Sequence, residues 1–394
     1  MKRNKLISIL ILISLTLTLL LTASGCVSLQ TADPQITVQG GDTYNVTVDN
    51  PPASTVAAAS KALMSAVSVA AAFPSGFSAA YSRGSGVIYK MNEEKTEAYV
   101  VTNHHVVYSA EGGISESIRV YLYGQEVSEC AIAAEYVGGS MYYDLAVLKI
   151  KNSAVLMKSE ATAAHFADSD TLQVLDTVIA VGNASGNGIS ATVGHLNVDS
   201  EYITLTAADD KTEITLRVMR TDAAVNPGNS GGGLFNSSGE VVGIVNAKSA
   251  DDSIDNIGYA IPSNVAKSIV ENILYYCDGT DKTCVYRCML GITVTSENPS
   301  ADYDEKTGTI SKREDVVISE ISSTSAVKGK FKVGDILKEV TVGGKTQVID
   351  RRHQLIDCML LAREGIEISF KVLRGGEELT ITVTTTADML EEYV

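Results

Sequence analysis

A serine at position 230 stands in the stretch Asn226-Pro227-Gly228-Asn229-Ser230-Gly231-Gly232. A serine hydroxyl is a weak nucleophile unless a base takes its proton and nearby donors receive the developing oxyanion. Glycines on both sides permit the tight turn that exposes Oγ and aims backbone N–H groups at one point. The amides of Gly228 and Ser230 are the expected donors. Taken alone, the stretch also reads as a solvated glycine-rich turn. Two further stretches favour the chemical reading. His105 lies in Thr102-Asn103-His104-His105-Val106, and Asp144 opens Asp144-Leu145-Ala146-Val147-Leu148-Lys149-Ile150. An imidazole is the base suited to neutral pH, and a buried carboxylate fixes its tautomer. The order His, Asp, Ser is one of the known orders for such a triad.

Such residues need rigid elements beneath them. From Ser65 to about Pro262, short apolar runs alternate with Gly, Asn, Asp and Ser turns. Examples are Gly86 to Tyr89, Ala98 to Thr102, Ile118 to Tyr123, Leu145 to Ile150, Val178 to Val181 and Val241 to Val245. Many closely spaced short strands point to barrels, and this length suits two small ones, the base and acid in one and the nucleophile in the other. The last hundred or so residues differ. Val316 to Ile318 and Ile336 to Val342 read as strands, Asp350 to Glu364 as a helix stopped by Gly365, and two alternating runs flank Gly375-Gly376. His104 and His105, placed on a strand, would face opposite ways, which argues against a shared metal. His165, His195 and His353 read as ordinary surface or interface histidines, and Cys130 and Cys358 as small core residues.

These motifs resemble the HtrA/Deg family of trypsin-like serine proteases. The family's Thr-Asn-x-His-Val selects His105 over His104. Its Asp-Leu-Ala-Val-Leu-Lys-Ile is matched from Asp144, and its serine motif from Asp222 to Gly232. Gly84-Ser85-Gly86-Val87, Gly182-Asn183 and Gly258-Tyr259-Ala260-Ile261-Pro262-Ser263-Asn264 also match. Departures are Gly233 after Ser-Gly-Gly, the segment Ala184 to Gly188 without the usual Pro-Phe, and Lys248 near the specificity pocket. The resemblance implies a mainly β fold: a chymotrypsin-like double six-stranded β-barrel followed by a small α/β PDZ domain. It implies a protease domain at 60–265, a connector at 266–284 and a PDZ domain at 285–390. The implied activity is hydrolysis of peptide bonds in unfolded or misfolded proteins, without cofactor or metal. A peptide-binding chaperone on the same fold is the alternative. Val225, Ala247 and Lys248 are candidates for the substrate pocket, with Ala224 at the position that would decide a basic preference. Leu290, Gly291 and Ile292 resemble the PDZ loop that takes a peptide's terminal carboxylate. Family members are often trimers, and Phe73, Phe77 and Tyr81 are candidates for that contact.

Lys2, Arg3 and Lys5 precede an apolar run from Leu6 to Ala23, then Ser24-Gly25-Cys26. This reads as an export signal over 1–25 that ends in a lipobox-like site, followed by a tether at 26–59. Cys26 would carry lipid, and the protein would sit at the cell membrane on its extracytoplasmic side. The same run is long enough to serve as an uncleaved anchor. The cluster Cys277, Cys284 and Cys288 is expected to supply one disulfide. The net charge of −16 argues against a nucleic-acid partner.

Overall fold

The computed structural model describes residues 53–75, 78–246, 257–277 and 285–393. Helix α1 (Ala53–Leu63) precedes strands β1 (Ala66–Ser75), β2 (Ser78–Met91) and β3 (Ala98–Thr102). A four-residue helix α2 (His104–Val107) follows, then β4 (Ser117–Leu122), β5 (Ile132–Ser140) and β6 (Leu145–Ile150). These six strands close a barrel in the order β1-β2-β3-β6-β5-β4. A second set comprises β7 (Thr177–Gly182), β8 (Ser190–Thr206), β9 (Glu213–Thr221), β10 (Gly233–Phe235), β11 (Val241–Asn246) and β12 (Gly258–Pro262). It closes a second barrel in the order β8-β9-β12-β11-β10-β7.

Strand periodicity builds three cores at once. Successive side chains on a strand point to opposite faces. Val100 of β3 and Leu148 and Ile150 of β6 therefore fill the first barrel, while Val101, Leu145 and Val147 face outward. Val178 and Ala180 of β7 fill the second barrel, while Ile179 and Val181 face outward. The outward residues of both barrels meet in one apolar seam with Val87 and Ile244. Helix α3 (Ser263–Tyr276) starts directly after Pro262 and adds Val265, Ala266, Ile269, Val270 and Ile273 to this seam. Their i, i+3, i+4 spacing makes one apolar stripe.

The C-terminal domain is a strand-rich unit. β13 (Tyr286–Cys288) leads to the long hairpin of β14 (Ile292–Asp304) and β15 (Thr309–Ile321). Next come β16 (Ile336–Val342), β17 (Lys345–Val348), helix α4 (Arg352–Met359), β18 (Glu367–Arg374), β19 (Glu377–Thr384) and β20 (Leu390–Glu392). The sheet runs β14-β15-β16-β18-β19, with β17 beside β16, and β13 pairs with β20. The alternating residues Ile368, Phe370 and Val372 enter its core with Leu355 and Met359 of α4.

The domain is fixed to the barrels by polar as well as apolar contacts. Buried Asn272 of α3 donates to the carbonyls of Tyr286 (2.6 Å) and Leu360 (3.0 Å) and accepts from the Tyr286 amide (3.0 Å). Arg217 of β9 bridges Asp170 (3.1 Å) and Asp357 of α4.

Several expectations change. Helix α4 is shorter than the Asp350–Glu364 reading. Gln354 Oε1 takes the amides of Asp350 and Arg351 at its start, and Asn272 and Arg363 take the Leu360 carbonyl at its end. His104 and His105 occupy a helical turn, not a strand. Phe73 lies in the first barrel's core and is 4% exposed, so it cannot form an interface; Tyr81 is 72% exposed, and Phe77 lies outside the described residues. Cys130 is only half-buried, whereas Cys358 is in the core. Cys277 is disulfide-bonded to a partner outside the described residues, while Cys288 is a free, buried thiol. Among the described residues, no helix is long and apolar enough to cross a membrane. The signal segment, Cys26, Ala247, Lys248 and Cys284 lie outside the described residues.

Candidate active site

Strand β3 ends at Thr102, and Asn103 turns the chain into α2, which presents His105 at the seam between the barrels. Asp144 immediately precedes β6. Its side chain is 5% exposed and accepts from His105 twice: from Nδ1 to Oδ2 at 2.7 Å and from the backbone amide to Oδ1 at 3.0 Å. A carboxylate only accepts. Nδ1 must therefore carry the proton, which leaves Nε2 with its lone pair free to act as a base. Burial works to raise the Asp144 pKa, but electrostatic attraction from His105 and its two hydrogen bonds outweigh it and hold the carboxyl below its ordinary value.

The backbone of Asp144 is held as firmly as its side chain. Its φ of +48° is left-handed, a conformation that costs a non-glycine residue about 1–2 kcal/mol. Asn103 Nδ2 donates to the Asp144 carbonyl at 2.8 Å and helps to impose it. Asn246, at the end of β11 and 1% exposed, donates its Nδ2 to Asp144 Oδ2 at 2.9 Å. Both oxygens of the carboxylate are thus engaged.

The neighbouring His104 has a different fate. It is buried, stacks on Tyr108 with ring centroids 5.1 Å apart, and its Nδ1 has no hydrogen-bond partner. Burial pushes its pKa down to about 4, so it is a neutral packing residue.

Ser230 lies between β9 and β10, on the second barrel's side of the seam, and is 5% exposed. Its carbonyl accepts from Ser85 N at 2.8 Å, and the Ser85 carbonyl accepts from Thr102 Oγ1 at 2.7 Å. A short chain of bonds therefore joins the serine turn to the residue before Asn103. Glycine is required at these contacts. A Cβ on Gly231 (φ +85°) would lie 2.3 Å from the Ser85 carbonyl oxygen, and one on Gly84 would lie 2.6 Å from Val106.

The two expected oxyanion amides have fixed orientations. Carbonyl and N–H point in opposite directions across a trans peptide. The Pro227 carbonyl accepts from Ser185 N at 2.8 Å, which turns the Gly228 N–H the other way. The Asn229 carbonyl accepts from Gly232 N at 2.9 Å, which does the same for the Ser230 N–H. Ser85 Oγ ties the assembly together: it donates to the Gly228 carbonyl and accepts from Asn183 N, both at 2.7 Å.

The trypsin-like peptidase domain family matches residues 84–244. The serine protease Do-like HtrA of Lactococcus lactis subsp. cremoris is 36% identical over 313 residues, which are 77% of this chain and 70% of that protein. The chain belongs to the HtrA/Deg family of serine proteases. A second HtrA, from Bacillus subtilis, is 36% identical over 75% of this chain, and the chain spans 62% of that protein's length. Among solved structures, an HtrA-type protease AlgW with a tripeptide superposes with a TM-score of 0.55 at 26% identity, covering 86% of this chain and 97% of that one.

On this HtrA scaffold the structure brings His105, Asp144 and the turn of Gly228 and Ser230 to one seam. Val225, half-buried, packs against Gly258, where a Cβ would lie 2.7 Å from it. Leu290, Gly291 and Ile292 lie in the C-terminal domain, at the start of β14. Sequence reasoning gave no role to Ser85, Asn183, Ser185 or Asn246. Ser85 and Asn183 stood inside matched motifs, which was a usable signal. Asn246 at a strand end carried none.

Proposed function

We propose that the protein is a serine endopeptidase acting on unfolded or misfolded exported proteins. The observation that carries this reading is the His105–Asp144 pair, set in the tautomer a base needs, beside a serine turn whose two amides are fixed in orientation. Ser230 Oγ attacks the substrate carbonyl while His105 Nε2 takes its proton. The Gly228 and Ser230 amides hold the oxyanion. His105 then returns the proton to the leaving amine, and Asp144 stabilises the imidazolium between the two transfers. A water repeats the sequence to release the acyl group.

Ala224, with Val225 beside it, supports a pocket for small or medium aliphatic side chains, since no carboxylate stands there for a basic one. Ala247 and Lys248 complete that pocket in this reading. The C-terminal domain is proposed to be a PDZ domain that takes peptide C-termini. Gly291 has φ +67°, and its carbonyl accepts from Ser322 N at 2.9 Å. The Leu290 carbonyl accepts from Ser325 Oγ at 2.7 Å. Those bonds turn the Gly291 and Ile292 amides to the opposite side, as carboxylate donors would be. Strand β14 pairs with β15 alone among the described residues, so its other edge supports addition of a peptide strand beside α4.

The location proposed is the extracytoplasmic face of the cell membrane, with lipid on Cys26. It is supported by the N-terminal sequence and by relatives such as the periplasmic pH-dependent serine endoprotease DegQ of Escherichia coli. A homotrimer through the exposed Tyr81 region completes the proposal, with the domain limits given from the sequence.

Casein and a short-chain ester separate protease from esterase. Cleavage of casein with sites after aliphatic residues is the expected result, and turnover of the ester alone would overturn it. Peptides with free or amidated C-termini, titrated against the whole chain, test the PDZ assignment. Equal affinity for both would remove it.

A further inference from the structure

The turn that carries Asp144 is held from outside its barrel. β5 ends at Ser140, which is fully buried. Its hydroxyl accepts from the Tyr143 amide at 3.3 Å and donates to the carbonyl of Tyr393 at 2.6 Å. The Asp144 amide closes the turn on the Met141 carbonyl at 3.3 Å. A backbone atom some 250 residues away in sequence therefore completes the turn before the acid.

Tyr393 is placed by the small ladder that joins the start and end of the C-terminal domain. Glu392 pairs with Tyr286 and Leu390 with Cys288, and the Tyr393 amide donates to the Val285 carbonyl at 2.7 Å. Its ring packs edge-on to Tyr142, with centroids 5.0 Å apart, and tilted against Tyr143 at 6.0 Å. Arg287 of β13 locks the group. Its guanidinium lies 4.1 Å from the centre of the Tyr393 ring and donates to the hydroxyls of Tyr143, at 3.2 Å, and of Tyr393. Tyr143 and Asp144 are adjacent, so any slack at Tyr143 reaches a residue already held at a left-handed φ.

We propose that Arg287 and Tyr393 are positioning residues for Asp144, acting through Ser140 and Tyr143. The β13–β20 ladder is then a strap that makes alignment of the His105–Asp144 pair depend on the C-terminal domain being in place. The proposal rests on the reading of Asp144 as the orienting acid. A misplacement of the order of an ångström at a positioned group lowers turnover by up to about 100-fold. Neither residue is part of the proposed substrate pocket, so the loss belongs in kcat.

The test uses the whole chain and four variants: one ending at Met389, Tyr393→Ala, Tyr393→Phe and Arg287→Gln. kcat and KM on a casein-derived peptide are measured below each variant's melting temperature, with Ser230→Ala as control. The expected result is a kcat lower by about 10- to 100-fold in the shortened chain, Tyr393→Ala and Arg287→Gln, with KM within about twofold. Tyr393→Phe, which keeps the ring and the strand, should recover most of the loss. If the shortened chain fails to fold, the point variants decide. Folded variants with wild-type kcat, or a loss carried by KM, would overturn the proposal. Activity remaining in Ser230→Ala would instead overturn the triad reading, whatever the strap variants do.

Discussion

Asn246→Ala should separate orientation of the acid from its mere presence. Asn246 is buried, and its amide donates at 2.9 Å to the same Asp144 oxygen that receives His105 Nδ1. A hydrogen bond to a charged group contributes about 1.5–3 kcal/mol. If all of it is expressed when the imidazolium forms against Asp144, kcat falls by about 10- to 100-fold. KM should change little, because the side chain faces Asp144. The same loss appears in stability, with a defined pH dependence. The Asp144 pKa is lowered in the folded protein. Its contribution is therefore present above the ordinary carboxylate value of about 3.9 and is lost as the pH falls through the lower folded value. Asn246→Ala should be less stable than wild type at pH 7, and the gap should narrow in acid, below the ordinary carboxylate value of about 3.9. Peptide hydrolysis at pH 7 and urea unfolding there and in acid measure these effects. Wild-type kcat together with wild-type stability at pH 7 would refute the argument.

Other substitutions probe the rest of the site and its support. Gly228→Ala would place a Cβ 2.4 Å from the Asn183 carbonyl oxygen, at a φ of +99°; loss of the oxyanion amide's position should lower kcat by at least about 100-fold in peptide assays. His104→Asn should keep most activity, whereas His105→Ala should lose on the order of 10⁴-fold. Because burial lowers the His104 pKa to about 4, the unfolded chain binds a proton there that the folded protein refuses. Stability therefore falls from about pH 6.5 toward pH 4, and His104→Asn should flatten that slope in acid unfolding. Arg217→Met removes the guanidinium that bridges the half-buried Asp170 and Asp357 and should destabilise the join of C-terminal domain and barrels by about 1.5–3 kcal/mol. Hydrogen exchange in α4 reads that loss directly.

Much of the site was legible because the triad motifs are local. The residue before Val106 and the residue opening the Asp144 run are fixed by short patterns, and strand periodicity fixes the faces on which Val100, Leu148 and Val178 fill the barrels. The same reasoning failed where a side chain's fate depends on contacts distant in sequence. Phe73 was a candidate for a subunit contact, but the pleat of β1 turns it into the first barrel's core. Helix α4 stops early because the Leu360 carbonyl is taken by nearby Arg363 and by Asn272, and the Asn272 contact, 88 residues away in sequence, has no local signature. Asn246 serves Asp144 from another barrel, and Tyr393 reaches Ser140 from the far end of the described chain. Such partners become visible only when strand register brings them together.

The central claim is that Ser230 is an activated nucleophile. A fluorophosphonate probe reacts with a serine whose proton is taken by a base and whose oxyanion is received by donors. Intact-mass measurement of the whole chain followed by peptide mapping should find one adduct, on Ser230, absent in Ser230→Ala and in His105→Ala. Labelling that survives Ser230→Ala, or a wild-type protein that cuts casein without labelling at Ser230, would contradict the account.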